Sequence, residues 1–298
     1  MLLQRVITAI VLAALIGLAV FLLPADYFSL VLALIALLGA WEWTKLIGMD
    51  SALQRSLFFL ALIVPMLGIH FWTQFLQLLF FGFEKLNLGL PDVRYYSGVL
   101  EWLVIPPILF WILAMVLIRK LPSSLLRLDM KLCYQALIGW FVLLAAWMFL
   151  SRLRALYGTE LAMYLLVLIW AADIAAYFTG KKWGKTQLAP EISPGKTVEG
   201  VYGALIAAVL CGIALDLIFK VYNSAFIIAA DFVFLSVITV LISIYGDLFF
   251  SLVKRRRGVK DSGSILPGHG GILDRIDSLI AAIPIFYGGV YLIYGLVS

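Results

Sequence analysis

Nine stretches of mostly apolar residues recur along the chain, at 6–24, 27–47, 57–81, 100–118, 133–151, 161–180, 200–219, 230–250 and 279–297. Each has about the 20 residues that a helix needs to cross the hydrocarbon core of a bilayer. A backbone in lipid must satisfy its hydrogen bonds internally, so the pattern predicts helices rather than open sheets. The expected fold is therefore all-α: a polytopic integral membrane protein with about nine transmembrane helices. Composition agrees, since 64% of the 298 residues are hydrophobic and 13% are charged. A soluble domain of that length carries about twice that charge. The run that follows Arg5 and reaches Leu23 is too long for the core of a signal peptide, and no small-x-small cleavage site follows. It reads as a retained first helix. The third segment holds Pro65 and His70, so a kink is expected there, with His70 packed or interfacial.

The net charge of +5 is unevenly placed. With the N-terminus inside, the inner segments carry Arg5; Lys45 and Arg55; Arg119, Lys120, Arg127 and Lys131; Lys181, Lys182, Lys185 and Lys196; and the basic run that begins at Lys254. The outer segments carry only Lys85, Arg94, Arg152, Arg154 and Lys220. An excess of cations in cytoplasmic loops orients membrane proteins, so the asymmetry predicts a cytoplasmic N-terminus and an external Ser298. The expected location is the cell inner (cytoplasmic) membrane. The same asymmetry explains the positive balance without nucleic acid. Cys133 and Cys211 lack metal-site spacing and read as small buried hydrophobes.

The two halves differ. Residues 1–150 read as N-terminal transmembrane helices joined by short loops. Their one intramembrane acid is Glu42, between Trp41 and Trp43, where an interfacial anchor and a functional group are equally good readings. Residues 151–298 read as a catalytic transmembrane half with two polar cytoplasmic loops, 181–199 and 251–278.

Chemistry concentrates in that second half. Asp247 lies at the inner end of the eighth segment, and a carboxylate at membrane depth usually faces a polar cavity or a cation. At about 100° per residue, Asp247, Ser251 and Lys254 share a helix face, which a capped, snorkelling helix end would also explain. The run Lys254-Arg255-Arg256-Arg257-Gly258-Val259-Lys260-Asp261 suits anionic lipid headgroups or substrate phosphates, and nothing in the run selects between them. Next come Pro267-Gly268-His269-Gly270-Gly271 and, after Ile272 and Leu273, Asp274-Arg275-Ile276-Asp277. The glycines let backbone amides approach phosphate oxygens. Asp274 and Asp277 share a face if a helix starts there; with Asp247 they are hard oxygen ligands suited to Mg²⁺ beside substrate phosphates. One acid at a helix N-terminus would be ordinary dipole compensation, but that leaves the preceding glycines and the second acid unexplained. In the other loop, Asp173, Tyr177 and Gly180 line one face. Pro194-Gly195-Lys196-Thr197 looks like the tail of a phosphate-binding loop, yet Pro190 stands where the leading glycine belongs and no strand is expected before it. A P-loop fold is therefore rejected.

The run from Ser251, Lys254 and Arg255 through Lys260, Asp261, Gly263, Leu266, Pro267, His269, Gly270, Gly271, Ile272, Asp274, Arg275, Ile276 and Asp277 resembles the signature of the phosphatidate cytidylyltransferases, without departure. Asp173, Ala176 and Tyr177, continuing to Ser193, Pro194, Lys196, Thr197, Glu199 and Gly200, are similar to a second block of that family. The likeness is sharp over roughly 165–290 and hydropathic before that.

What the resemblance implies is a transferase joining CTP to phosphatidic acid, giving CDP-diacylglycerol and pyrophosphate, in a cavity open to the cytoplasm. It places metal-site carboxylates at Asp247 and Asp274 and puts Asp277, Lys254, Ser251 and His269 on further catalytic positions. Lys196, Thr197, Ser193, Lys260, Arg275, Asp173 and Tyr177 become expected substrate contacts. Mg²⁺ is the expected cofactor, a second, monovalent cation is left open, and a homodimer is admissible. Since a phosphate monoester is already ionised near neutral pH, no strong base is required, and His269 reads as a positioning group. A CTP-dependent polyprenol kinase is the nearest rival. The DGxxAR motif of the CDP-alcohol phosphotransferases is absent. An ion-coupled transporter using Asp173, Asp216 and Asp247 would need inverted repeats, and none is visible.

Overall fold

The computed structural model describes residues 2–85, 99–222, 229–265 and 270–297. Its helices are α1 (Leu2–Leu22), α2 (Ala25–Leu46), α3 (Ala52–His70), α4 (Trp72–Lys85), α5 (Val99–Trp102), α6 (Ile105–Lys120), α7 (Pro122–Arg127), α8 (Leu132–Trp183), α9 (Val198–Tyr222), α10 (Ala229–Arg256) and α11 (Leu273–Val297). One antiparallel hairpin, β1 (Gln187–Ala189) and β2 (Ser193–Thr197), interrupts them, with Ala189 opposite Ser193 and Gln187 opposite Thr197.

Among the described residues, seven helices are long and apolar enough to cross a membrane, and the chain is an all-α, multi-pass membrane protein. The difference from the nine expected segments has two local sources. For the first apolar run the described side chains cover only Val11–Leu22 of α1. The fifth and sixth both lie in α8, which bends at Gly158 (φ 94°). Leu143, Ala146 and Leu150 before the bend line the same cavity as Leu166 after it, so the chain turns back at Gly158. The third segment is divided into α3 and α4 at Phe71. Pro65 is accommodated inside α3, and His70 packs as expected, its Nδ1 3.3 Å from Ser29 Oγ.

The core is built around aromatic rings. Trp43 of α2 stacks near Phe249 and meets Phe250 edge-on, while Phe249 also contacts Phe110 and Trp111 of α6. Such ring pairs prefer these tilted arrangements. They bring side chains of α2 and α6 together on Phe249 of α10. Against α10, helix α11 comes close at Gly246, where an added Cβ would stand 2.5 Å from Ala281 Cβ and 3.0 Å from the Asp277 carbonyl. That approach brings the acids of α10 and α11 to one place.

A smaller apolar cluster seats the hairpin. Ile192 and Ala189 are buried with Ile118, Tyr245, Leu248 and Leu252. The hairpin therefore lies over the end of α10 rather than standing free in solvent.

Candidate active site

Four segments deliver polar groups to the end of α10. β2 contributes Lys196, whose Nζ lies 2.6 Å from Asp247 Oδ2 and donates to the Ile244 carbonyl at 3.2 Å. Ser251 Oγ donates to Asp247 Oδ1 at 3.2 Å, as the one-turn spacing requires. One turn further, Lys254 is 8% exposed and donates to Asp274 Oδ1 of α11 at 2.7 Å. Asp277, 7% exposed, lies within electrostatic reach of Asp247, Lys254 and Lys196. Asp173 of α8 is accessible to solvent and within reach of Lys196 and Asp247. Two lysines thus stand among four carboxylates from three helices at the mouth of an apolar bundle.

The connection from α10 to α11 folds back onto Asp274. Its Oδ2 accepts the Ser262 amide at 2.8 Å and the Gly271 amide at 3.0 Å. Glu42, expected only as an anchor or a functional group of undefined kind, is 1% exposed and bonds the same connection. The clue in the sequence was the expense of a carboxylate at that depth; its partner lies 220 residues away, beyond any local spacing.

The four cations from Lys254 to Arg257 have separate jobs. Lys254 faces the carboxylates. Arg255 Nε donates to the Ile192 carbonyl at 3.2 Å, clamping the hairpin. Arg256 reaches away, to the Leu128 carbonyl and, at 3.4 Å, to Met130 Sδ. Arg257 lies over Gly48, where an added Cβ would be 3.1 Å from its guanidinium. Helical geometry explains this division: successive residues point about 100° apart.

The other expected contacts have surroundings of their own. Thr197 Oγ1 accepts the Gly200 amide at 3.1 Å and so caps α9. Tyr177 is exposed, with Lys181 Nζ over its ring at 5.6 Å. Lys260 and Arg275 are exposed, and Ser193 is half-buried in β2. His269 lies outside the described residues.

The donor set suits a hard divalent cation in part. Asp247 Oδ1 meets Ser251 and Oδ2 meets Lys196, and the side chain is 29% exposed, so acceptor capacity faces outward. Asp274 has two amides on Oδ2 and Lys254 on Oδ1, leaving less. Among the described residues no three acids, histidines or cysteines converge as a metal cage. One or two carboxylates beside substrate phosphates suffice for Mg²⁺.

Comparison with known proteins gives these contacts a context. The model of the cytidylyltransferase family matches residues 3–293. The phosphatidate cytidylyltransferase of Haemophilus influenzae is 40% identical over 297 residues, covering 96% of this chain and 97% of that protein. That of Pseudomonas aeruginosa is 37% identical over 294 residues, covering 96% of each. That of Bacillus subtilis is 43% identical over 134 residues, 44% of this chain and 47% of that protein. The matches run through both the apolar helices and the charged segments between them, and on that ground the chain belongs to the cytidylyltransferase family and is a membrane-embedded nucleotidyltransferase.

Proposed function

We propose that this protein transfers the cytidylyl group of CTP to phosphatidic acid, forming CDP-diacylglycerol and releasing pyrophosphate. The observation that carries the reading is the paired arrangement of Lys196 with Asp247 and Lys254 with Asp274 at one end of α10. The relatives that cover nearly the whole chain bear the name phosphatidate cytidylyltransferase. In the reaction a phosphate oxygen of the lipid attacks the α-phosphorus of CTP. A new P–O bond forms, and the bond to the β-phosphate oxygen breaks. Both reactants are anionic, so the protein's task is to neutralise and align them. Lys196 from β2 and Lys254 from α10 supply the positive charge. Ser251 holds the Asp247 carboxylate, and the folded connection holds that of Asp274. Mg²⁺, bound through Asp247 and through Asp274, would stabilise charge on the phosphate oxygens and on the leaving pyrophosphate. Asp247 is the better placed of the two, since its oxygens carry fewer bonds.

The site faces the cytoplasm in this reading, within the inner membrane. CTP reaches it from water and the lipid from the adjacent leaflet. Two copies assembling as a homodimer are compatible with it. Purified protein in detergent with CTP, phosphatidic acid and Mg²⁺ should release pyrophosphate and yield a CDP-lipid. Turnover with a polyprenol and none with phosphatidic acid would replace this reading by that of a lipid-alcohol kinase.

A further inference from the structure

The carboxylate of Glu42 sits where the connection from α10 closes on α11. Its Oε1 accepts the Ile272 amide at 2.9 Å; its Oε2 accepts the Leu273 amide and the Ser262 hydroxyl, each at 2.9 Å. The two amides are among the donors that a helix N-terminus leaves without intrahelical partners, and α11 begins at Leu273. An anion is favoured at that end of the helix. A buried carboxylate away from water is costly unless its oxygens are fully engaged, and three donors meet this one.

Ser262 joins this carboxylate to the active site. Its hydroxyl goes to Glu42 and its amide to Asp274. On the other side Gly271 donates to Asp274, and the next two amides turn to Glu42. Both strands of the connection are therefore gripped twice, once by each acid. The grip requires room. A Cβ on Gly263 would stand 2.4 Å from Glu42 Oε1, and one on Gly271 would stand 2.5 Å from Oε2. Two glycines of the polar connection thus accommodate an acid from the other end of the chain.

We propose that Glu42 is a positioning residue for the transfer reaction: it fixes the start of α11 and the Ser262 amide, and through them the orientation of Asp274 toward Lys254. This rests on the reading of Asp274 as part of the active site. In Glu42→Gln one oxygen becomes an NH₂ group. Ile272 donates on one side and Leu273 on the other, so either orientation of the amide sets a donor against a donor.

The experiment compares wild type, Glu42→Gln, Gly263→Ala, Glu42→Ala and the double variant Glu42→Ala/Gly263→Ala as purified, monodisperse protein. Amide hydrogen exchange should rise in Glu42→Gln and Gly263→Ala within 259–275 and stay unchanged in α1, α3 and the first limb of α8. For Glu42→Gln, kcat should fall roughly tenfold or more, as expected for a lost charged hydrogen bond, with KM for CTP changing far less. Gly263→Ala should lower kcat in the wild-type background and add nothing on top of Glu42→Ala, because the clash is with the removed carboxylate. Unchanged exchange at 259–275 in Glu42→Gln would overturn the inference, as would exchange that rises uniformly through every span. Wild-type protein that makes no CDP-lipid would refute the assigned reaction, while the exchange data would still decide the role of Glu42.

Discussion

Lys196 and Lys254 each neutralise one carboxylate and stand on the same side of α10. Replacing either by alanine should lower turnover roughly tenfold or more, since a hydrogen-bonded charge contact contributes about 1.5–3 kcal/mol. Arg256→Ala should do less, because its guanidinium holds Leu128 and Met130 instead. Steady-state kinetics on the three variants checks the order; Arg256→Ala as the most damaging would refute it. Asp247→Asn and Asp274→Asn should each abolish detectable turnover while the protein still purifies as a monodisperse species. Asp277→Asn should also impair it, and Asp216→Asn should be nearly silent. Near-normal Mg²⁺-dependent turnover in either of the first two would remove that carboxylate from the metal site. At this scale the stripe of Asp247, Ser251 and Lys254 was legible in the sequence because one helix carries all three at a fixed period. Which arginine does what was not legible, since each partner, from Gly48 to Ile192, belongs to a different segment.

Among the elements, the β1–β2 hairpin was the least visible in advance. Its strands are short, and Pro190, Pro194 and Gly195 mask any alternation, so the stretch read as a loop. Docking of Ile192 on Leu248 and Leu252 supplies what the local pattern lacks. The long helices were legible because apolar length alone specifies them. The bend at Gly158 was not, because nothing in the apolar count distinguishes a loop from a single left-handed residue. Away from the active site, Arg152 pairs with Glu101, and both side chains are largely shielded. Glu101→Gln would leave the guanidinium charge uncompensated, at a cost of roughly 3–5 kcal/mol. Thermal unfolding in detergent should show a clear fall in Tm for Glu101→Gln and a substantial recovery in the double variant Glu101→Gln/Arg152→Met. An unchanged Tm in the single variant would show that the pair is not a stabilising contact.

For the molecule as a whole, the cations divide unevenly between the two faces, and the proposed orientation follows from that bias. Cysteines introduced as Lys185→Cys and Gly258→Cys should resist an impermeant thiol reagent applied to intact cells and react once the membrane is opened. Labelling of either from outside would reverse the topology. The bend of α8 bears on how such a chain is made. Arg152 and Arg154 sit beside it, so in the proposed orientation inserting this helical pair would carry two guanidinium groups through the bilayer, where each costs about 2.5–3.5 kcal/mol at the centre. In the folded protein Arg154 donates to the carbonyls of Val20 and Leu23, and Arg152 meets Glu101. Every one of these acceptors precedes α8 in the sequence. As synthesis proceeds from the N-terminus, the groups that receive the two arginines have already left the ribosome when α8 emerges. The acceptors of both guanidinium groups are thus synthesised before the helix that carries them.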